Sequence, residues 1–142
     1  MCGRAGSVTQ EKFMQFSRLS AIWLFWPAAA VVIWGELSPN GGSVFHVWDK
    51  ALHFTAYFGL AGIAFVALCA ARAKPWSRML WPALGLVLLG GVLEIIQGYV
   101  GRDMSIWDEA ANTLGVGAGG LAGWAYVSLF AARRLVEAGP PD

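Results

Sequence analysis

The sequence predicts an all-α, polytopic membrane protein: four transmembrane helices in a single domain, with both termini on the cytoplasmic side. Three observations carry this. First, the 142 residues are 57% hydrophobic and 13% charged, with a mean hydropathy of +0.55. Soluble domains are roughly a quarter charged, and a chain this short buries only about two-thirds of its surface on folding, so much of the apolar excess must face lipid. Second, four apolar stretches each approach the ~20 residues that span a bilayer as a helix. Lipid offers no partner to backbone N–H and C=O groups, so such stretches must be helical. Third, Arg4, Lys12, Arg18, Arg72, Lys74, Arg78, Arg133 and Arg134 fall on one side of these stretches, and only Lys50 and Arg102 fall on the other. That eight-to-two bias places the basic side in the cytoplasm.

The first helix is read over residues 19–36, following an N-terminal tail, 1–18. Its basic flank and Ala28-Ala29-Ala30 resemble a signal peptide, but the apolar run continues through Val31, Val32, Ile33 and Trp34. That length favours an uncleaved signal anchor. Pro39-Asn40-Gly41-Gly42 is turn chemistry. The second helix is read over 50–71, Lys74-Pro75 breaks the chain, and the third helix follows over 79–99. The fourth is read over 109–131, and Gly139-Pro140-Pro141 closes a loose tail. Pro27 and Pro82 are compatible with membrane helices. Gly115, Gly119 and Gly123 recur every four residues on the Asn112 face of the fourth helix, a pattern that predicts close helix contact. Eight tryptophans suit a chain with two water–lipid interfaces. Cys2 and Cys69 are too few for a disulfide framework, and the net charge of +1 gives no footprint for nucleic acid.

The polar residues are distributed unevenly. The outer side carries both histidines and six of the nine acids: Glu36, Asp49, Glu94, Asp103, Asp108 and Glu109. Asp49, His53 and Tyr57 are four apart and share a helix face; so do Glu94 and Gln97, and Asp108 and Asn112. Glu94 interrupts a run of apolar residues, where an acid costs about 2.5–3.5 kcal/mol at mid-membrane and less near an interface. His53, Glu94, Asp108 and Asn112 are expected to converge on one outward-opening pocket between the second, third and fourth helices.

Several of these residues have structural readings as well. Asp49 and Asp108 can act as helix N-caps, and Ser105-Ile106-Trp107-Asp108 has capping-box spacing. Lys50 can snorkel at the interface, and Tyr57 can belong to an aromatic belt. Asp49, His53, Glu94 and Asp108 supply possible metal ligands, but with one well-placed histidine and no HExxH or CxxC, no metal site and no cofactor are expected.

The chemistry that fits best is acid–base work on a lipid-linked phosphate. His53 would be the general base, oriented by Asp49 or Asp108, and Glu94 the acid. Arg102 and Lys50 would hold phosphate oxygens, while Gln97, Asn112 and Ser105 would contact the headgroup and Tyr57 would form a deeper wall. The competing reading is a non-catalytic pocket for a lipid, an antibiotic or a partner helix.

Trp48-Asp49-Lys50-Ala-Leu-His53-Phe-Thr-Ala-Tyr57-Phe-Gly, then Glu94-Ile-Ile-Gln97, then Gly101-Arg102-Asp-Met-Ser105-Ile-Trp-Asp108-Glu-Ala-Ala-Asn112-Thr-Leu-Gly115 resembles VanZ-like membrane proteins. The resemblance spans about 45–131. It implies a multi-pass protein of the plasma or inner membrane and of the cell envelope. It further implies membrane lipids or a lipid-linked cell-wall precursor as partners, and a link to glycopeptide (teicoplanin) susceptibility.

Overall fold

A computed structural model describes the backbone of residues 3–38, 46–69 and 75–138 and the side chains of 12–38, 49–68 and 77–130. Its elements are four helices: α1 (Gly3–Leu37), α2 (His46–Cys69), α3 (Pro75–Tyr99) and α4 (Ile106–Ala138). Each holds a segment long and apolar enough to cross a membrane.

Every helix starts earlier than the hydropathy pattern indicates. From residue 3 onward the expected tail is a helix continuous with the first span. The apolar run marks the stretch able to face lipid, whereas the helix follows from backbone hydrogen bonding, which polar residues such as Gln10, Glu11 and Lys12 sustain equally well. The α1 helix continues through Pro27 and α3 through Pro82. The expected turns at 39–42 and 139–141 and the break at Lys74 lie outside the described residues.

The α2 helix is the centre of the bundle, packing against all three others, and its pairing with α4 is the most extensive. These two run parallel, since Phe54 meets Gly115, Phe58 meets Gly119 and Phe65 meets Gly123 in matching order. The small-residue stripe of α4 therefore lies against α2, as its spacing predicts. A Cβ at position 115 or 119 would collide with the backbone carbonyl oxygen of Phe54 or Phe58. In lipid the association of such helices comes from van der Waals packing rather than from exclusion of water, so backbone-to-backbone approach is where much of its strength lies. Tyr57, Leu60, Ala61, Ala64 and Phe65 of α2 form the buried core, joined by Met79, Leu86, Val116 and Ala29 from the other helices.

The α1 helix runs antiparallel to α2. At one end Arg18 Nε donates to the Ala67 carbonyl at 3.0 Å, placing a cation at the carboxyl end of α2 where the helix dipole favours it. Ser17 and Tyr126 hydroxyls meet at 3.3 Å, and Phe13 stacks on Phe130 at 5.1 Å between centroids. The opposite end of the bundle is polar inside: Glu36, His53, Glu94, Gln97, Asp108 and Asn112 are all buried there. Large apolar side chains such as Trp23, Trp26, Trp34, Trp81 and Trp107 point outward. Polar groups inside and apolar groups outside is the arrangement a lipid solvent selects.

The link from α3 to α4 is a built feature. The Arg102 N–H donates to the Gln97 carbonyl at 3.0 Å across Gly101, whose φ is +85°. This is the Schellman closure, with glycine in the left-handed region at C′. It delivers Arg102 back over the bundle instead of letting α3 continue. An L-residue in that region costs about 1–2 kcal/mol. Gly101→Ala is expected to lower unfolding stability in detergent by about that much, whereas Gly85→Ala, with open space at its Cβ, is expected to leave it within about 1 kcal/mol.

Candidate functional site

His53 lies seven residues into α2, Glu94 five residues before the end of α3, and Asn112 six residues into α4. At 1.5 Å per residue these depths are about 10, 8 and 9 Å from the polar end. The three side chains therefore sit at similar depths, as convergence on one site requires.

The buried imidazole of His53 is the hub. Its Nδ1 lies 3.2 Å from Asn112 Oδ1, 3.4 Å from Glu36 Oε1 and 3.9 Å from Glu94 Oε1. Asn112 Nδ2 donates to Glu109 Oε2 at 3.3 Å, so its Oδ1 faces His53 as an acceptor. Nδ1–H then donates to Asn112, and in the neutral ring Nε2 keeps its lone pair. Nε2 lies 3.9 Å from Asp49 Oδ1.

Around this hub the cations are held by acids. Lys50 Nζ contacts Asp108 Oδ1 at 2.9 Å, tying the starts of α2 and α4 together. Lys50 is half-exposed, so the pair contributes on the order of 1 kcal/mol or less. Arg102 donates to Asp49 Oδ1 at 3.2 Å and to the Glu36 carbonyl at 2.8 Å. One guanidinium thus joins the α3–α4 link to both α1 and α2.

The structure brings together His53, Glu94, Asp49, Asp108, Lys50, Arg102 and Asn112. Ser105 enters through its backbone: its N–H donates to Glu94 Oε2 at 3.0 Å. This replaces the expected capping box. In that motif the carboxylate of Asp108 would take the Ser105 N–H; here Glu94 takes it and Asp108 turns to Lys50. Nor is Asp49 an N-cap, because α2 starts at His46 and Asp49 sits inside its first turn. Tyr57, one turn below His53, and Gln97 are fully buried, and the Tyr57 hydroxyl and Gln97 Nε2 have no hydrogen-bond partner. The side chain of His46 lies outside the described residues.

The opening itself differs from the expectation. A cleft of about 330 Å³ lies between α1 and α2, lined by Val31, Val32, Gly35, Glu36, Asp49, Leu52, His53, Ala56 and Arg102. Glu94, Asp108, Asn112, Gln97 and Tyr57 are not in this lining. The glycine stripe closes α4 onto α2 so tightly that the polar residues between them become interior, while this cleft lies on the α1 side. His53 stands at the boundary, one nitrogen toward the interior network and the other toward Asp49, which lines the cleft.

Glu36 and Glu109 are site residues that sequence reasoning left out; Glu109 enters by accepting the Asn112 amide, and Glu36 by facing His53. Glu36 closes an apolar run beside a turn, where an acid reads as interfacial; its burial shows only once α1 is placed against α2. The one available signal was that Glu36, like Glu94, stands on the histidine-bearing side.

Asp49, His53 and Asp108, three of the four possible ligands that the sequence offers, each present one donor atom within 4.8 Å of the others. Near His53, five acids (Glu36, Asp49, Glu94, Asp108, Glu109) face two permanent cations, Lys50 and Arg102.

The fold and site together define an all-helical chain with four helices able to span a membrane and a histidine–carboxylate centre buried near one end. No family model, curated protein or solved structure matches it.

Proposed function

We propose that this chain is a multi-pass membrane protein of the cell envelope that binds a bilayer lipid, or a lipid-linked cell-wall precursor, and hydrolyses or exchanges its headgroup. The observation that carries this is the composition of the α1–α2 cleft. Val31, Val32, Leu52 and Ala56 offer an apolar wall, and Glu36, Asp49, His53 and Arg102 supply the polar groups in the same lining. An amphipathic ligand matches both surfaces at once. The basic-residue bias orients the site toward the outer leaflet with both termini in the cytoplasm, and the resemblance to VanZ-like proteins agrees with an envelope role in the plasma or inner membrane.

In this reading, Nε2 of His53 takes the proton of a water or acceptor hydroxyl as it attacks phosphorus, the phosphorus–oxygen bond to the headgroup breaks, and the imidazolium passes that proton to the leaving oxygen. The Nδ1–H is held by Asn112 with Glu36 and Glu94 behind it, an arrangement that stabilises the imidazolium as it forms. Arg102, in the lining, faces the phosphate charge. Glu94 acts through His53, and Asn112 positions the ring; both lie behind it.

A second reading rests on a specific observation: Arg102 is already engaged by Asp49 and by the Glu36 carbonyl. A pocket whose cation is satisfied internally suits a binding module or scaffold for a lipid, an antibiotic or a partner membrane protein.

Gly35 provides the test. It lines the cleft and has nothing within 4 Å of an added Cβ. Gly35→Leu is expected to fill the cleft while the protein keeps its unfolding temperature in detergent. Turnover of phospholipids or polyprenyl phosphates by the purified protein in lipid is expected to fall at least ~10-fold, as displaced substrate loses its positioning. Saturable lipid binding without turnover, lost in the same variant, would favour the module.

A further inference from the structure

We propose a divalent metal site formed by His53 Nε2 and the carboxylates of Asp49 and Asp108, taking Mn²⁺ or Zn²⁺ and open toward the α1–α2 cleft. The three residues offer donor atoms within 4.8 Å of one another, and two of the three are buried. One imidazole and two carboxylates form a donor set suited to Zn²⁺ or Mn²⁺. Ligand bonds of about 2.1 Å require the three to close in slightly, which the first turns of α2 and α4 can do through side-chain rotation.

An independent observation points to the same imidazole. Glu36 Oε1 and Glu94 Oε1 belong to side chains more than nine-tenths buried, have no hydrogen-bond partner and face His53 Nδ1 at 3.4 and 3.9 Å. Metal-bound histidines characteristically present their other N–H to a carboxylate or carbonyl oxygen, which fixes the ring and raises its basicity. Here that second nitrogen meets Asn112 Oδ1 with two carboxylates beside it. A bound dication would sit among more carboxyl groups than Lys50 and Arg102 pair with directly.

Lys50 occupies part of this site as a surrogate cation. It contacts Asp108 Oδ1, but its side chain is half-exposed while that of Asp108 is buried, so the ammonium can swing to solvent as an ion enters. Asp49 Oδ1, the oxygen 3.9 Å from Nε2, also holds the Arg102 guanidinium at 3.2 Å, so an ion would share this carboxylate with Arg102. The three protein ligands leave coordination positions for a phosphate oxygen or a water from the cleft. An ion on Nε2 takes up the lone pair that the base role uses, so the metal-bound and proton-accepting imidazole are alternative states of one site; metal binding is read without any lipid substrate.

The experiment titrates the purified full-length protein in detergent with Mn²⁺, following free ion by electron paramagnetic resonance, and with Zn²⁺ by calorimetry. One saturable ion per chain is expected. Asp108→Asn and His53→Gln should weaken binding by ~10- to 100-fold or more, the range seen when even outer partners of a metal site are removed. Lys50→Met should tighten it by about two- to fivefold, since it removes a competing ion pair of up to ~1 kcal/mol. This last variant removes only a half-exposed side chain, so it tests the site even if the buried substitutions prevent folding. A purely structural Lys50–Asp108 pair predicts no gain. No saturable binding by the folded protein at millimolar Mn²⁺ and Zn²⁺, or affinities unchanged across all three variants, would overturn the site.

Discussion

Gly119→Leu is expected to abolish stable assembly of the bundle. A Cβ at position 119 points into the carbonyl group of Phe58, with the Phe58 Cα at 2.9 Å. The obstacle is backbone in the middle of α2, so no rotamer change relieves it and the two helices must separate along their length. Overpacking typically costs about 1–3 kcal/mol and occasionally more; a rigid neighbour places this site at or above the top of that range. Gly119→Ala should already lower the unfolding temperature clearly. Gly117→Ala, two residues away with nothing within 4 Å of its Cβ, should stay within about 1 kcal/mol of wild type. Equal effects at 117 and 119 would mean that α2 and α4 do not meet through this stripe.

His53→Ala is expected to lower headgroup turnover by ~10²–10⁴-fold, the usual contribution of a general acid–base group. The same change leaves Asn112, Glu36 and Glu94 facing a cavity, so folding has to be measured alongside activity. Glu94→Gln separates the two effects. Its amide oxygen can still accept the Ser105 N–H, which preserves the start of α4 while the charge beside His53 is lost. If Glu94→Gln folds normally and turns over substrate like wild type, Glu94 has only a structural role at α4. Wild-type turnover in a folded His53→Ala protein would remove His53 as the base.

The helices were legible because lipid imposes a length and a composition, and because glycine every fourth residue allows few alternatives to close contact. Convergence of His53, Glu94, Asp108 and Asn112 was legible too: helical spacing fixes a face, and rise per residue fixes a depth. The partners within that cluster were harder to read. Asp108 sits three residues after Ser105, so local spacing favours a cap, yet Lys50 from α2 claims Asp108 and Glu94 from α3 claims the Ser105 N–H. Both outcomes depend on contacts between residues 11 or more positions apart. Glu36 was hidden for the same reason. That the described cleft lies beside α1 also depends on how helix pairs pack, which no single stretch of sequence carries.

The α1 helix contains the least buried of the four candidate spans, and it supplies Val31, Val32, Gly35 and Glu36 to the cleft. The opposite wall, α2, is locked to α4 by backbone contact, so the two behave as one rigid post. Any widening of the cleft therefore has to be a displacement of α1, with Arg102 as its tether at the polar end and Arg18 as its tether at the other. A molecule already dissolved in the bilayer would meet this movable wall from the side. If the four helices span a bilayer, as their length and composition allow, lipid packed against α1 would bear directly on how wide the entrance stands.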